Sequence, residues 1–61
     1  MNKADKEYMA LLAKRAYDLE VQLGLAMHYV GNVEGGDTEM LETCSEMTKD
    51  LRIALEDQAR D

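Results

Sequence analysis

The chain contains one histidine, His28, and one cysteine, Cys44, which are the only candidates for a base and a nucleophile acting as a pair. Such a pair works only within hydrogen-bond reach. The helical hairpin described below is expected to place His28 near Met40 and Cys44 near Leu23, about one helical turn apart. Because the two side chains are not expected to meet, we predict no enzymatic activity.

Metal and phosphate sites are not expected either. The Glu-x-x-His pairs of di-iron helical bundles are absent, because Leu25 lies three residues before His28. One cysteine and one histidine do not make a structural zinc site. The glycine-rich segment 31–36 lacks the Lys-Ser/Thr that follows a phosphate-binding loop. The sequence therefore predicts no metal and no other cofactor.

Apolar residues recur at steps of three and four along two stretches, which is the spacing of one face of an α-helix. A glycine-rich segment separates the stretches, and the chain contains no proline. We expect one all-α domain over residues 1–61, an antiparallel two-helix hairpin with helix 1 over about 3–30, a loop over 31–37 and helix 2 over about 38–58. The expected apolar seam comprises Met9, Leu12, Ala16, Leu19, Leu23, Ala26 and Val30, then Leu41, Cys44, Thr48, Leu51, Leu55 and Gln58.

The ends of these helices carry their own signals. Gly31 is expected to take the left-handed conformation that ends many helices. Asp37 or Thr38 is expected to accept a hydrogen bond from the free amides at the start of helix 2. Folding the chain at the loop sets Leu19 beside Thr48, so that the two apolar stripes face each other layer by layer.

Two helices are too few to cover the apolar surface of this chain. A domain of 61 residues buries only about 60% of its unfolded surface, and a lone cysteine cannot form an internal disulfide. We therefore expect the hairpin to dimerise into a four-helix bundle. Further apolar residues beside the seam are Tyr8, Leu11, Ala13, Tyr17, Val21, Leu25, Met27, Tyr29, Met40, Met47 and Ala54.

The net charge of −6 lies in the second half of the chain. Residues 1–30 hold four bases and four acids, whereas residues 31–61 hold three bases and nine acids. This balance argues against nucleic acid and anionic membranes as partners and favours a protein with a basic surface. No apolar stretch approaches the roughly 20 residues of a membrane span, and charged residues follow Met1 where a signal peptide would be apolar. We expect a cytoplasmic protein.

Two exposed helix faces are candidate binding surfaces. The outer face of helix 1 carries Ala10, Lys14, Tyr17, Val21, Gly24 and His28, and it is either the dimer seam or a partner site. Helix 2 carries an acidic ridge of Glu39, Glu42, Glu46, Asp50 and Asp57, with Ile53 among them. Such a ridge is either a solvated face or a docking site for a basic partner. The predicted partner-binding residues are Tyr17, Val21, Leu25, Glu42, Glu46, Asp50 and Ile53.

In length, hairpin layout, alanine-containing seam and net acidity, the chain resembles the Rop family of plasmid copy-number regulators. Those proteins are dimeric four-helix bundles that bind paired RNA loops with their first helices. The shared residues are Lys3, Lys6 and Cys44. The resemblance implies an RNA contact face at Lys14, Asp18, Gln22 and Tyr29, where Asp18 replaces the aromatic residue of the family's face.

The sequence therefore predicts a non-enzymatic regulator or inhibitor that acts as a homodimer and binds another protein. Size and the absence of site chemistry are typical of phage or plasmid accessory factors that block a host protein machine, including anti-CRISPR proteins. Two alternatives stay open, namely a Rop-like RNA-binding regulator and a purely structural hairpin that only assembles with other chains. Mimicry of DNA is disfavoured, because the ridge from Glu39 to Asp50 has four acids over roughly 16 Å, less than half the charge density of duplex DNA.

Overall fold

The computed structural model describes residues 2–60, which form two antiparallel α-helices joined by a short loop. Helix α1 spans Lys3–Gly31 and helix α2 spans Glu39–Arg60. The pair is a rod with Cα extents of 50 × 14 × 10 Å. The predicted helical hairpin is confirmed, and both helices begin within one residue of the expected positions.

Polar caps fix the start of each helix. The side chain of Asn2 accepts a hydrogen bond from the backbone amide of Asp5, at 2.9 Å. Asp37, one of the two expected caps, accepts a hydrogen bond from the amide of Glu39, also at 2.9 Å. Because the first amides of a helix have no partner within it, each cap satisfies a group that would otherwise need water.

The end of α1 differs from the expectation. Gly31 is the last helical residue and does not take the left-handed conformation, so that prediction is wrong. Asn32 ends the helix with right-handed backbone angles, and its side-chain amide donates to the carbonyl oxygen of His28 at 2.8 Å. Among the described residues only Gly35 has a positive φ, of 78°. The observed loop, 32–38, therefore begins one residue later than the expected loop, 31–37, because the Asn32 side chain caps α1 where a glycine was expected to.

Small side chains lie where the helices approach most closely. Ala13 and Ala16 are the only buried residues among those described, with 5% and 8% of their surfaces exposed. Beside them the two helices are joined by half-buried side chains. These are Met9, Leu12, Glu20, Leu23, Ala26, Met27 and Val30 on α1, and Leu41, Ser45, Thr48, Arg52, Leu55, Glu56 and Ala59 on α2.

The inward face of each helix is turned only slightly from the expected seam. Nine of the thirteen expected seam residues are buried or half-buried, and the four exposed ones are Leu19, Cys44, Leu51 and Gln58. Within the hairpin, Leu19 and Leu51 remain 53% and 55% exposed, and Cys44 is exposed as well. Glu20 and Arg52 occupy the interhelical positions instead, joined at 2.8 Å. The rotation has a physical reason, because alanines allow close approach and the long Arg52 side chain reaches its carboxylate across the gap.

Candidate interaction surfaces

One face of the hairpin is an open apolar groove between the central turns of the helices. We call it the leucine groove, and its volume is about 340 Å³. Arg15 is the single charged residue of its lining. Leu19 and Leu51, which were expected between the helices, are exposed along this face, and the half-buried Leu12 and Leu55 extend the groove inward. The lining residues are Leu12, Arg15, Ala16, Leu19, Thr48, Leu51 and Leu55.

Cys44 belongs to the same face as the leucine groove. It precedes Thr48 by four residues and Leu51 by seven, and residues at that spacing lie along one stripe of a helix. Its thiol is free and exposed. The Thr48 hydroxyl, one turn further along α2, donates to the backbone carbonyl of Cys44 at 2.7 Å. Thr48 therefore places no unpaired donor in the groove.

The opposite face of the hairpin has a different chemistry. A second depression, called the tyrosine notch here, has a volume of about 440 Å³ near the open end of the rod. Charged and aromatic groups surround a floor of alanines. The lining residues are Ala10, Ala13, Lys14, Tyr17, Glu56, Ala59 and Arg60. The notch and the leucine groove share no residue, and of the two buried alanines Ala13 lines the notch and Ala16 lines the groove.

Arg52 organises the face of the tyrosine notch. Its guanidinium group donates to Glu20 on the other helix and to Glu56 one turn along its own helix, both at 2.8 Å. The same group lies 5.8 Å from the ring centroid of Tyr17, within cation–π range. The hydrogen bonds to Glu20 and Glu56 raise the pKa of Arg52. Arg52 is therefore a permanent cation that joins the two helices and orients the tyrosine ring.

The predicted partner-binding residues are all exposed, but they do not form one surface. Tyr17 lines the notch, Val21 follows it one turn along α1, and Ile53 follows Arg52 on α2. Leu25 lies further round α1, away from α2, and it is 50% exposed. The acids of the group, Glu42, Glu46 and Asp50, are exposed on the outer side of α2.

His28 and Cys44 have different surroundings. The His28 ring lies at the loop end, 3.5 Å from the side-chain amide of Asn32 and edge-on to Tyr29 at 6.2 Å between ring centroids. Cys44 lies on the face of the leucine groove. Within residues 2–60, no group of three or more His, Cys, Asp and Glu side chains is arranged to hold a metal ion. The residues of the Rop-like contact face, Lys14, Asp18, Gln22 and Tyr29, are all exposed on α1.

Sequence reasoning missed two features of these surfaces. It placed Leu19 and Leu51 between the helices of one chain, where they are in fact exposed, and it assigned no role to Arg52. The available signals were Ala13, which lies three residues before Ala16, and the opposite charges of Glu20 and Arg52. These residues form a stripe whose apolar side chains are fewer and smaller than those of the leucine stripe beside it.

The fold defines a class, a small two-helix hairpin with two chemically distinct faces. Comparison with known proteins adds nothing to this description, since no family model, no curated protein and no solved structure matches the chain. In the described part of the chain, neither helix has the length and apolar character needed to cross a membrane.

Proposed function

We propose that this protein is a non-enzymatic regulator that works by binding other proteins, and that it does so as a homodimer of hairpins. The observation that carries the proposal is the amount of apolar surface left uncovered. Among the described residues, twelve large apolar side chains are exposed and only Ala13 and Ala16 are buried. Part of this surface is contiguous in the leucine groove, and contiguous exposed apolar surface is typical of sites of association with protein.

The chain exposes more surface than a compact protein of the same mass, and the excess has the size of one side of a protein interface. The accessible surface of the chain is 4801 Å², whereas a compact protein of its mass exposes about 4,000 Å². The excess of about 800 Å² equals the area that each partner contributes to an interface of standard size. The radius of gyration is 14.5 Å, whereas a compact chain of this length has about 10.5 Å. The hairpin is therefore elongated, which is why it exposes more surface.

The charges favour a basic partner for whatever surface the dimer leaves exposed. The chain carries thirteen acids against seven bases, and Glu42, Glu46 and Asp50 are exposed on the outer side of α2. Ile53 is 41% exposed on the same side of α2 as these carboxylates, and the Tyr17 ring is exposed on α1. An apolar contact surrounded by acids suits a basic protein surface with an apolar spot, because the charges steer the encounter and the apolar contact supplies affinity.

Basic surfaces of this kind are typical of proteins that bind nucleic acids. A small acidic protein that covers such a surface competes with the nucleic acid for it. Inhibition of a larger nucleic-acid-binding machine, as a phage or plasmid accessory factor would perform it, is therefore the form of regulation that we propose.

Affinity capture from the native cell tests the proposal. The wild-type protein is expected to retain one dominant partner, and Ile53→Asp or Tyr17→Ala is expected to lose it while the helical circular dichroism stays unchanged. Val33→Asp is the matched control, because it makes the same apolar-to-acid change at an exposed loop residue. Equal capture by the wild type and both surface variants would contradict the proposed partner site. A gel shift of paired-loop RNA that weakens in Lys14→Ala would favour the RNA-binding alternative.

A further inference from the structure

We infer that the leucine groove is filled by a second copy of the same chain, laid antiparallel so that the loop end of each hairpin lies beside the open end of the other. This inference rests on the proposed homodimer and assigns it a face and a direction. The outer face of helix 1, the dimer seam considered from the sequence, is left free by this arrangement.

The chemistry of the two faces selects the leucine groove. Its lining is apolar except for Arg15 and the internally bonded Thr48, so burial leaves few polar groups without partners. Burying the tyrosine notch would instead desolvate Lys14 and Arg60 together with the ion pairs of Arg52. Desolvation of charges is costly unless each is paired and hydrogen-bonded. A second apolar groove is therefore the better occupant of the first.

The shape of the groove also fits a second copy. Ala16 lies between Leu12 and Leu19 on α1, and Leu51 lies between Thr48 and Leu55 on α2. A two-fold axis across the rod at the level of Ala16 brings Leu12 of one copy beside Leu19 of the other, and the small Ala16 side chains at the axis let the two α1 helices approach closely. Ala16 is one residue from the midpoint of Lys3–Gly31, so the two α1 helices overlap along nearly their full length.

The distribution of charge along the rod selects the antiparallel direction. Residues 16–48, which form the loop half of the hairpin, contain seven carboxylates and no Lys or Arg. The remaining residues contain seven bases and six acids, which completes the net charge of −6. A parallel dimer would place the two acidic halves side by side, within about a Debye length of each other. An antiparallel dimer places each acidic half beside the half that carries every lysine and arginine.

This arrangement has a consequence for binding. Groove-to-groove packing turns the two tyrosine notches, with Ile53 beside each, toward opposite sides of the bundle. Because a two-fold dimer presents identical surfaces, each bundle offers two equivalent partner sites. Cys44, on the groove face, is covered in the dimer.

The face is tested by two charge insertions on the same helix. Leu51→Glu enters the leucine groove, and Ile53→Glu, two residues away on the other side of α2, is the matched control. Both side chains are exposed within the hairpin. In sedimentation equilibrium, the dimer dissociation constant of Leu51→Glu is expected to rise by about a hundredfold or more, because each dimer buries two unpaired carboxylates. The dissociation constant of Ile53→Glu is expected to equal that of the wild type.

Because Leu51→Glu could also unfold the chain, the wild-type protein supplies a second measurement. The Cys44 thiol is expected to react slowly with a disulfide reagent at concentrations where the dimer forms and rapidly on dilution. Equally fast reaction at both concentrations, with the dimer present, would show that the groove is open. Retention of the dimer in Leu51→Glu and its loss in Ile53→Glu would also overturn the inference.

The direction is tested by the distance between the two loops. In the Cys44→Ser background, Val33→Cys places one spin label in the loop of each copy. Pulsed electron resonance is expected to give a label separation close to the 50 Å length of the rod. A separation within about 20 Å, set by the spacing of neighbouring helices, would mean a parallel dimer and refute the antiparallel arrangement. If the wild-type chain sediments as a monomer, the proposed homodimer itself fails, whatever the face.

Discussion

Replacement of Leu19 by alanine measures directly whether the leucine groove is a covered surface. In the isolated hairpin Leu19 is 53% exposed, so about half of the 1.5–3 kcal/mol that full burial of a leucine supplies is present. Truncation should then cost about 1 kcal/mol. If a second copy covers the groove, the same change removes a core leucine, which costs about 2–5 kcal/mol per chain and twice that per dimer.

Urea unfolding followed by circular dichroism separates these two values. The unfolding midpoint of the wild type is expected to rise with protein concentration, since each tenfold step adds about 1.4 kcal/mol to the stability of a dimer. Leu25→Ala is the control, because Leu25 is 50% exposed on the same helix and faces away from α2. A loss near 1 kcal/mol for both variants, with midpoints independent of concentration, would refute the reasoning.

Three further predictions concern the hairpin itself. A double-mutant cycle on Glu20→Ala and Arg52→Ala should give a coupling free energy of about 0.5–1 kcal/mol that falls with added salt, since both side chains are about one-fifth exposed. A coupling of zero would show that the pair does not help to join the helices. Gly24→Ala should raise the free energy of unfolding by about 1 kcal/mol, because a Cβ there meets no atom within 4 Å; a lower melting temperature would instead mean that another chain packs on that face. Gly36→Ala should lower stability by more than about 1 kcal/mol, because its Cβ would overlap a carbonyl oxygen of α1, and an unchanged melting temperature would mean that the loop adapts freely.

The positions of the helices were predictable because local signals determine them. Apolar residues at steps of three and four, an Asp before the second series and a glycine-rich break are all readable in the sequence. The end of α1 was less predictable. Asn32 caps the helix through its side chain, and a neighbouring Gly31 gave a competing signal of equal strength.

Periodicity identified most of the inward-facing residues but not the exact rotation of each helix. Helix α1 has an apolar arc wide enough to include both the alanine stripe and the leucine stripe, so either orientation satisfies the same spacing. The structure brings Ala13 and Ala16 against α2, which allows a close approach of the backbones. It then places Arg52 opposite Glu20. That pairing depends on two residues 32 positions apart in the chain, which no local pattern connects.

The choice of inward face decides what remains for binding. If Leu19 and Leu51 also lay between the helices, the hairpin would be better covered and would have less reason to associate. Because the Glu20–Arg52 pair lies there instead, Leu19 and Leu51 line an apolar groove on one face, and charged and aromatic side chains line the notch on the other. An apolar face with one charge suits a second copy of the chain, whereas a mixed face that holds Tyr17 and a permanent cation suits a different protein. Self-association and partner binding therefore need not compete for the same surface.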